Sequence, residues 1–228
     1  LDFMPPGRLN QIEFNSPQQH STHCAGTILG RGLIDPIARG MAPNATLFSW
    51  NFNGNIQAEM AAAIPAHNLI ISSHSYNDGG SVTCNINGTQ IQYTTVSRNT
   101  DLNLNTFPTH LHVHSSGNAG SSCTGQYMTI TGTGKSAKNN VVVGNLTSTE
   151  ALSGSSSCGP VQDGRIKPEL VAMGTSVFST STPLNTYATL SWTSMSTPGI
   201  AGSLALLVQR YKELNRNVVP PSTLVKNI

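Results

Sequence analysis

Trp192-Thr193-Ser194-Met195-Ser196-Thr197-Pro198 introduces the longest apolar helical pattern in this 228-residue chain. Between Met195 and Leu214, the residues Ile200, Leu204, Leu207, Val208 and Tyr211 recur at helical spacing, so one face of a long helix is built for burial. A serine at a helix start is ordinarily an N-cap, because its oxygen satisfies a free backbone N–H. The same position suits a nucleophile, since the positive helix end favours an oxyanion forming beside it. Such a serine needs a base to take its proton, and histidine is the usual one.

Upstream of that helix, short apolar runs alternate with helical ones. Residues 22–29 read as a short helix following His20, residues 46–50 as a buried strand, and residues 56–66 as an Ala-rich helix. Residues 69–73 read as a second strand, leading into a polar loop at 76–80, and residues 90–104 as a helix. A third strand, 111–115, ends at Gly117-Asn118-Ala119-Gly120, and residues 141–146 form a fourth. Residues 171–180 read as a hairpin or strand pair, and residues 220–228 as the start of another helix. The alternation predicts one α/β domain, with a parallel sheet flanked by helices on both faces in three layers. Sites in such sheets lie beyond the carboxyl ends of the strands.

Composition narrows the function. Only 10% of residues are charged, against a usual value of about 25%, and Ser, Thr, Asn and Gly carry the polarity. That balance suits a secreted or cell-surface protein. The formal net charge of +2, without a basic run or aromatic–basic interleaving, argues against nucleic acid as a partner. No apolar run reaches the roughly 20 residues of a membrane span. The four cysteines include no Cys-x-x-Cys pair. Cys24 falls in an apolar helical run as a small hydrophobe, and a bridge between Cys84 and Cys123 is plausible in an oxidising compartment.

His20-Ser21-Thr22-His23-Cys24-Ala25-Gly26-Thr27 and Trp192–Pro198 together resemble the histidine and serine motifs of the subtilisin-like peptidases, the subtilases. Ser157-Cys158-Gly159-Pro160, then Asp163-Gly164-Arg165-Ile166-Lys167-Pro168-Glu169, is similar to a further stretch of that family, and so is the turn Gly40-Met41-Ala42-Pro43-Asn44-Ala45. The segments run in the family's order from about Arg8 to the C-terminus. The resemblance implies a subtilisin-like sandwich and a serine endopeptidase of proteins or peptides, acting as a monomer through an acyl-enzyme. His20 would be the base and Ser194 the nucleophile. Asn118 would be an oxyanion donor beside the Ser194 backbone N–H. Ser75, Tyr76 and Asn77 would pair with an extended substrate, and Ser115, Ser116 and Gly117 would form the opposite pocket wall. No cofactor is implied for the chemistry. Structural calcium is implied, but no acidic cluster locates it.

The chain also departs from the family. The triad acid should precede His20. Asp2 is the only aspartate there, and Leu1-Asp2-Phe3 resembles the stretch following the family's aspartate, so the acid is expected upstream of Leu1. Glu13 lies closer to His20 and carries little weight. Both ends read as clipped. Trp192 replaces a glycine beside the nucleophile, which is costly if the site needs a positive φ. These departures are the grounds for an alternative, a catalytically inactive subtilase-like binding domain. A second alternative is a zinc site: His110, His112 and His114 share one face of a strand, and His20 and His23 are a helical turn apart. No carboxylate or fourth ligand has the matching spacing, and imidazoles packed under neighbouring elements explain the pattern more simply.

Overall fold

The computed structural model describes residues 7–13, 16–77 and 81–227. In chain order the strands are β1 (Leu9–Gln11), β2 (Leu47–Ser49), β3 (Ile71–His74), β4 (Leu111–Ser115), β5 (Val141–Leu146), β6 (Leu170–Met173), β7 (Val177–Ser181) and β8 (Thr186–Leu190). The helices are α1 (Gln19–Leu29), α2 (Ile56–His67), α3 (Thr95–Thr106), α4 (Thr193–Leu214) and α5 (Ser222–Lys226). Strands β3-β4-β5-β6 form a parallel sheet in that order. One of its two inner strands, β5, runs Val141-Val142-Val143, all buried, as expected of a strand covered on both faces.

Alternation along β4 assigns the faces. Leu111 and Val113 turn to α4, where they pack with Val141, Val143, Ala201, Leu204 and Val208. His112 and His114 turn to the opposite face of the sheet and are also buried. Helix α1 lies against α4 and against β7 of the antiparallel β7–β8 hairpin. Gly26 permits this approach: a Cβ there would stand 2.1 Å from Thr180 Oγ1. His23 closes the same contact. It is fully buried, and its Nε2 lies 3.0 Å from the Val177 carbonyl oxygen and 3.1 Å from that of Ala188. Two acceptors oblige Nε2 to carry the proton, and burial lowers the ring's pKa.

Several sequence expectations are revised. Helix α1 begins at Gln19, so His20 sits inside it rather than before it. The helix expected at 90–104 is a 3-10 turn at Thr89–Ile91 followed by α3, at whose start the Thr94 N–H donates to Ser97 Oγ at 3.4 Å. Residues 171–180 do not pair with themselves. Their first half joins the parallel sheet as β6, and their second half pairs with β8. The expected single sheet is also divided. β1 and β2 form a separate parallel pair, and a cleft of about 1270 Å³ lies between β2 and β3. The Cys84–Cys123 disulfide is formed, while Cys24 and Cys158 are free.

Candidate active site

Ser194 is the second residue of α4 and only 8% exposed. Its N–H belongs to the first turn, where helical N–H groups have no partner within the helix. Pro198, four residues on, has no N–H to donate to the Ser194 carbonyl, so the usual helical bond is missing. Two other elements supply the donors. Ser75 Oγ donates to that oxygen at 3.0 Å and Cys24 Sγ at 3.4 Å. The Ser194 hydroxyl itself donates loosely to the Ser75 carbonyl, at 3.4 Å. Burial pushes the Cys24 thiol up to about 12, so it stays protonated beside the serine and is no rival nucleophile.

Asn118 follows the carboxyl end of β4 and is exposed. Its Oδ1 accepts from the Thr193 N–H at 3.0 Å and from Thr193 Oγ1 at 2.8 Å. With the oxygen held, Nδ2 is the end left to meet a ligand. Thr193 Oγ1 also accepts from the Gly117 N–H at 3.3 Å, which ties the strand-end loop to the helix start. The wall expected at Ser115, Ser116 and Gly117 is buried and pinned from both sides. Ser116 N donates to Val143 O, Thr131 N donates to Ser116 O, and Ser157 N donates to Gly117 O. Gly117 has φ 111°, and a Cβ there would stand 2.1 Å from Thr131 Oγ1, so both conformation and space call for glycine.

His20 lines the cleft between β2 and β3 and keeps one side to solvent. Loss of water on the other side lowers its pKa, leaving the imidazole neutral at neutral pH, as a general base must be. Cys24, one turn along α1, touches the Ser194 carbonyl, so the two helices bring His20 to the serine's side. Among the described residues no hydrogen bond joins His20 to Ser194, and no carboxylate contacts His20. Glu13 instead accepts from the Asn51 N–H at 3.0 Å. Asp2 lies outside the described residues. Tyr76 stands at the cleft rim, its ring stacked on Phe52 at 5.2 Å. Asn77 follows it, exposed. Of the expected site residues, the structure joins Ser75, Ser194, Gly117 and Asn118 in one group through Thr193, and His20 and Tyr76 line the cleft that Ser75 also borders.

A model of the Subtilase family matches residues 9–226. The chain belongs to the subtilase family. The C5a peptidase of Streptococcus pyogenes is 42% identical over 73 residues, which are 32% of this chain and 6% of that relative's length. Among solved structures, the self-cleaved protease domain of PatA superposes with TM-score 0.71 at 19% identity, covering 97% of this chain and 78% of the other. The prenylagaramide maturation protease PagA gives 0.69 at 21%, covering 97% and 74%. A cold adapted subtilisin-like serine proteinase gives 0.64 at 19%, covering 97% and 73%. These likenesses share the three-layer α/β fold.

In this subtilase the residue that sequence reading left without a role is Thr193. Its signal was only its place before the serine, since the groups it binds are distant in sequence. Trp192 does adopt a positive φ, 107° with ψ 170°. The Asp163–Glu169 stretch braces the sheet edge. Lys167 ion-pairs with Glu169 and donates to Asn140 Oδ1 at 2.7 Å, and Glu169 accepts from the Val142 N–H at 2.9 Å. Among the described residues no three His, Cys, Asp or Glu side chains are arranged to hold a metal ion. The zinc alternative fails on geometry, because His112 stacks on His74 and His23 is taken up by two carbonyls. The expected calcium likewise finds no acidic cluster there. No helix among the described residues is long and apolar enough to cross a membrane.

Proposed function

We propose that this domain hydrolyses peptide bonds in protein substrates outside the cell, as a monomer and without a cofactor in the chemistry. Ser194 attacks the carbonyl carbon, and His20 takes its proton and returns it to the leaving amine. The tetrahedral oxyanion is met by the Ser194 N–H and Asn118 Nδ2. The observation that carries this reading is the Asn118–Thr193 clamp. It fixes a neutral amide donor beside the first turn of the helix that bears the serine. Ser75–Asn77 and Ser115–Gly117 supply the two walls along which an extended substrate lies.

A fluorophosphonate probe on the folded full-length protein tests the reading. Labelling is expected at Ser194, abolished by Ser194→Ala and strongly weakened by His20→Ala. A folded protein that takes up no probe refutes it and leaves the non-catalytic binding domain.

A further inference from the structure

Four imidazoles occupy the face of the parallel sheet turned away from α4. His74, His110, His112 and His114 are all buried. His74 lies opposite His114 in register, and its ring stacks on that of His112 with centroids 4.0 Å apart. The His114 ring is 5.8 Å from each of the other two. Tyr76 packs edge-on against His74 and His114, and its hydroxyl lies 2.6 Å from His74 Nδ1. At the other end, His110 Nδ1 lies 3.0 Å from the Leu69 carbonyl oxygen. Its Nε2 lies 2.9 Å from Ser72 Oγ, which also stands 3.4 Å from His112 Nδ1.

This chain of bonds has one consistent reading with neutral rings. His110 Nδ1–H donates to the Leu69 carbonyl, Ser72 donates to His110 Nε2, and His112 Nδ1–H donates to Ser72. A proton added to His110 would turn its Nε2 into a donor and reverse the Ser72 hydroxyl. A charge on His74 would face another ring across a 4.0 Å stack. The neighbouring charges oppose protonation too. Lys135 and Lys167 are buried cations that act on His114, and Lys167 acts on His112. The carboxylates nearby are otherwise placed: Glu169 pairs with Lys167, and Glu59 of α2 and Glu13 line the cleft with His74 and His110. On α3, Asp101 binds Tyr93 and two backbone N–H groups, and Arg98 is exposed. Burial accordingly pushes His74 down to about 3 and lowers the other three.

The cluster ends where the proposed site begins. Ser75 follows His74 directly and binds Ser194 in both directions, and Tyr76 bridges back to the His74 ring. We propose that the four-histidine cluster is an acid-operated switch, which holds Ser75–Asn77 against Ser194 while its rings are neutral and releases that segment when they take up protons together. Its importance for catalysis rests on the peptidase reading. The opening itself does not.

The sign follows from linkage. Above the ordinary histidine value of about 6.5, open and closed forms are both neutral and acid exerts no pull. Below it the open form binds protons that the closed form refuses, so the open-to-closed ratio rises up to about tenfold per histidine for each pH unit. Amide hydrogen exchange on the full chain between pH 7.5 and 4.5, corrected for intrinsic rates, measures this without any catalysis. Protection of the amides at the carboxyl end of β3, up to His74, where pairing with β4 stops just before Ser75, is expected to fall with an order in proton concentration of at least two, while Val142 and Val143 in β5 stay protected. His74→Gln, which keeps an acceptor for Tyr76, and His112→Phe, which keeps the stack, should each lower that order by about one and move the midpoint to lower pH. A fall of order one or less overturns the switch. So does a folded variant of either kind that leaves the midpoint unchanged, or simultaneous loss of protection in β5. Fluorophosphonate labelling over the same range reports separately on the peptidase reading, because titration of His20 alone gives order one.

Discussion

Trp192 offers a test in which the usual ranking of two small residues should invert. Its backbone, at φ 107° and ψ 170°, lies in a region that only glycine enters freely. Holding any other residue there costs about 1–3 kcal/mol. The residue is 51% exposed. A tryptophan covers roughly 200 Å², so about 100 Å² is buried, worth about 2.5 kcal/mol at 25 cal/mol per Å². Trp192→Ala loses that burial and keeps the backbone strain, so it should be about 2–3 kcal/mol less stable than the parent. Trp192→Gly loses the same burial, sheds the strain, and gives back about 0.5–1 kcal/mol in chain entropy. Glycine should therefore exceed alanine by about 1–2 kcal/mol, whereas in ordinary helix or strand positions alanine wins by about 0.5–1. Urea unfolding followed by Trp50, the one tryptophan left in both variants, measures the difference. The two melting temperatures should differ by roughly 4 °C. Equal midpoints, or alanine ahead, at unchanged denaturant slope would refute the strain.

Two other substitutions probe the site. Thr193→Val removes the hydroxyl that clamps Asn118, and should lower kcat about tenfold while KM holds, with Thr193→Ser restoring it. An unchanged kcat in the valine variant would dismiss the clamp. Gly117→Ala adds a Cβ 2.1 Å from Thr131 Oγ1 at φ 111°, and should cost about 2–4 kcal/mol in urea unfolding. A loss under 0.5 kcal/mol would show that the wall yields.

The serine and histidine segments were legible because each sets a serine or histidine among small residues at the start of an apolar helical run, in an order shared with the family. Alternation around His110, His112 and His114 likewise announced a strand with imidazoles on one face, and packing against His74 accounts for them. Other features left no local trace. Leu9–Gln11 is three residues with one apolar side chain, too short for a period. Hydrophobic runs identify strands without naming partners, so the break between β2 and β3 could not be read from them. The Thr193–Asn118 clamp spans 75 residues, and neither residue type distinguishes a turn or cap from a support. Position 192 carried the question of a positive φ, but the backbone angle answers it.

Pro198 gives the serine an unusual mount. Because the helix cannot hold the Ser194 carbonyl through its own ladder, Ser75 after β3 and Cys24 on α1 hold it from outside. Ser194 is thus positioned by docking of three segments and only partly by the helix that carries it. Helix α4 can keep its length and its core contacts while that docking loosens. Under rising denaturant, reactivity at Ser194 should therefore fade before the helical signal does, making the serine an early reporter of local opening.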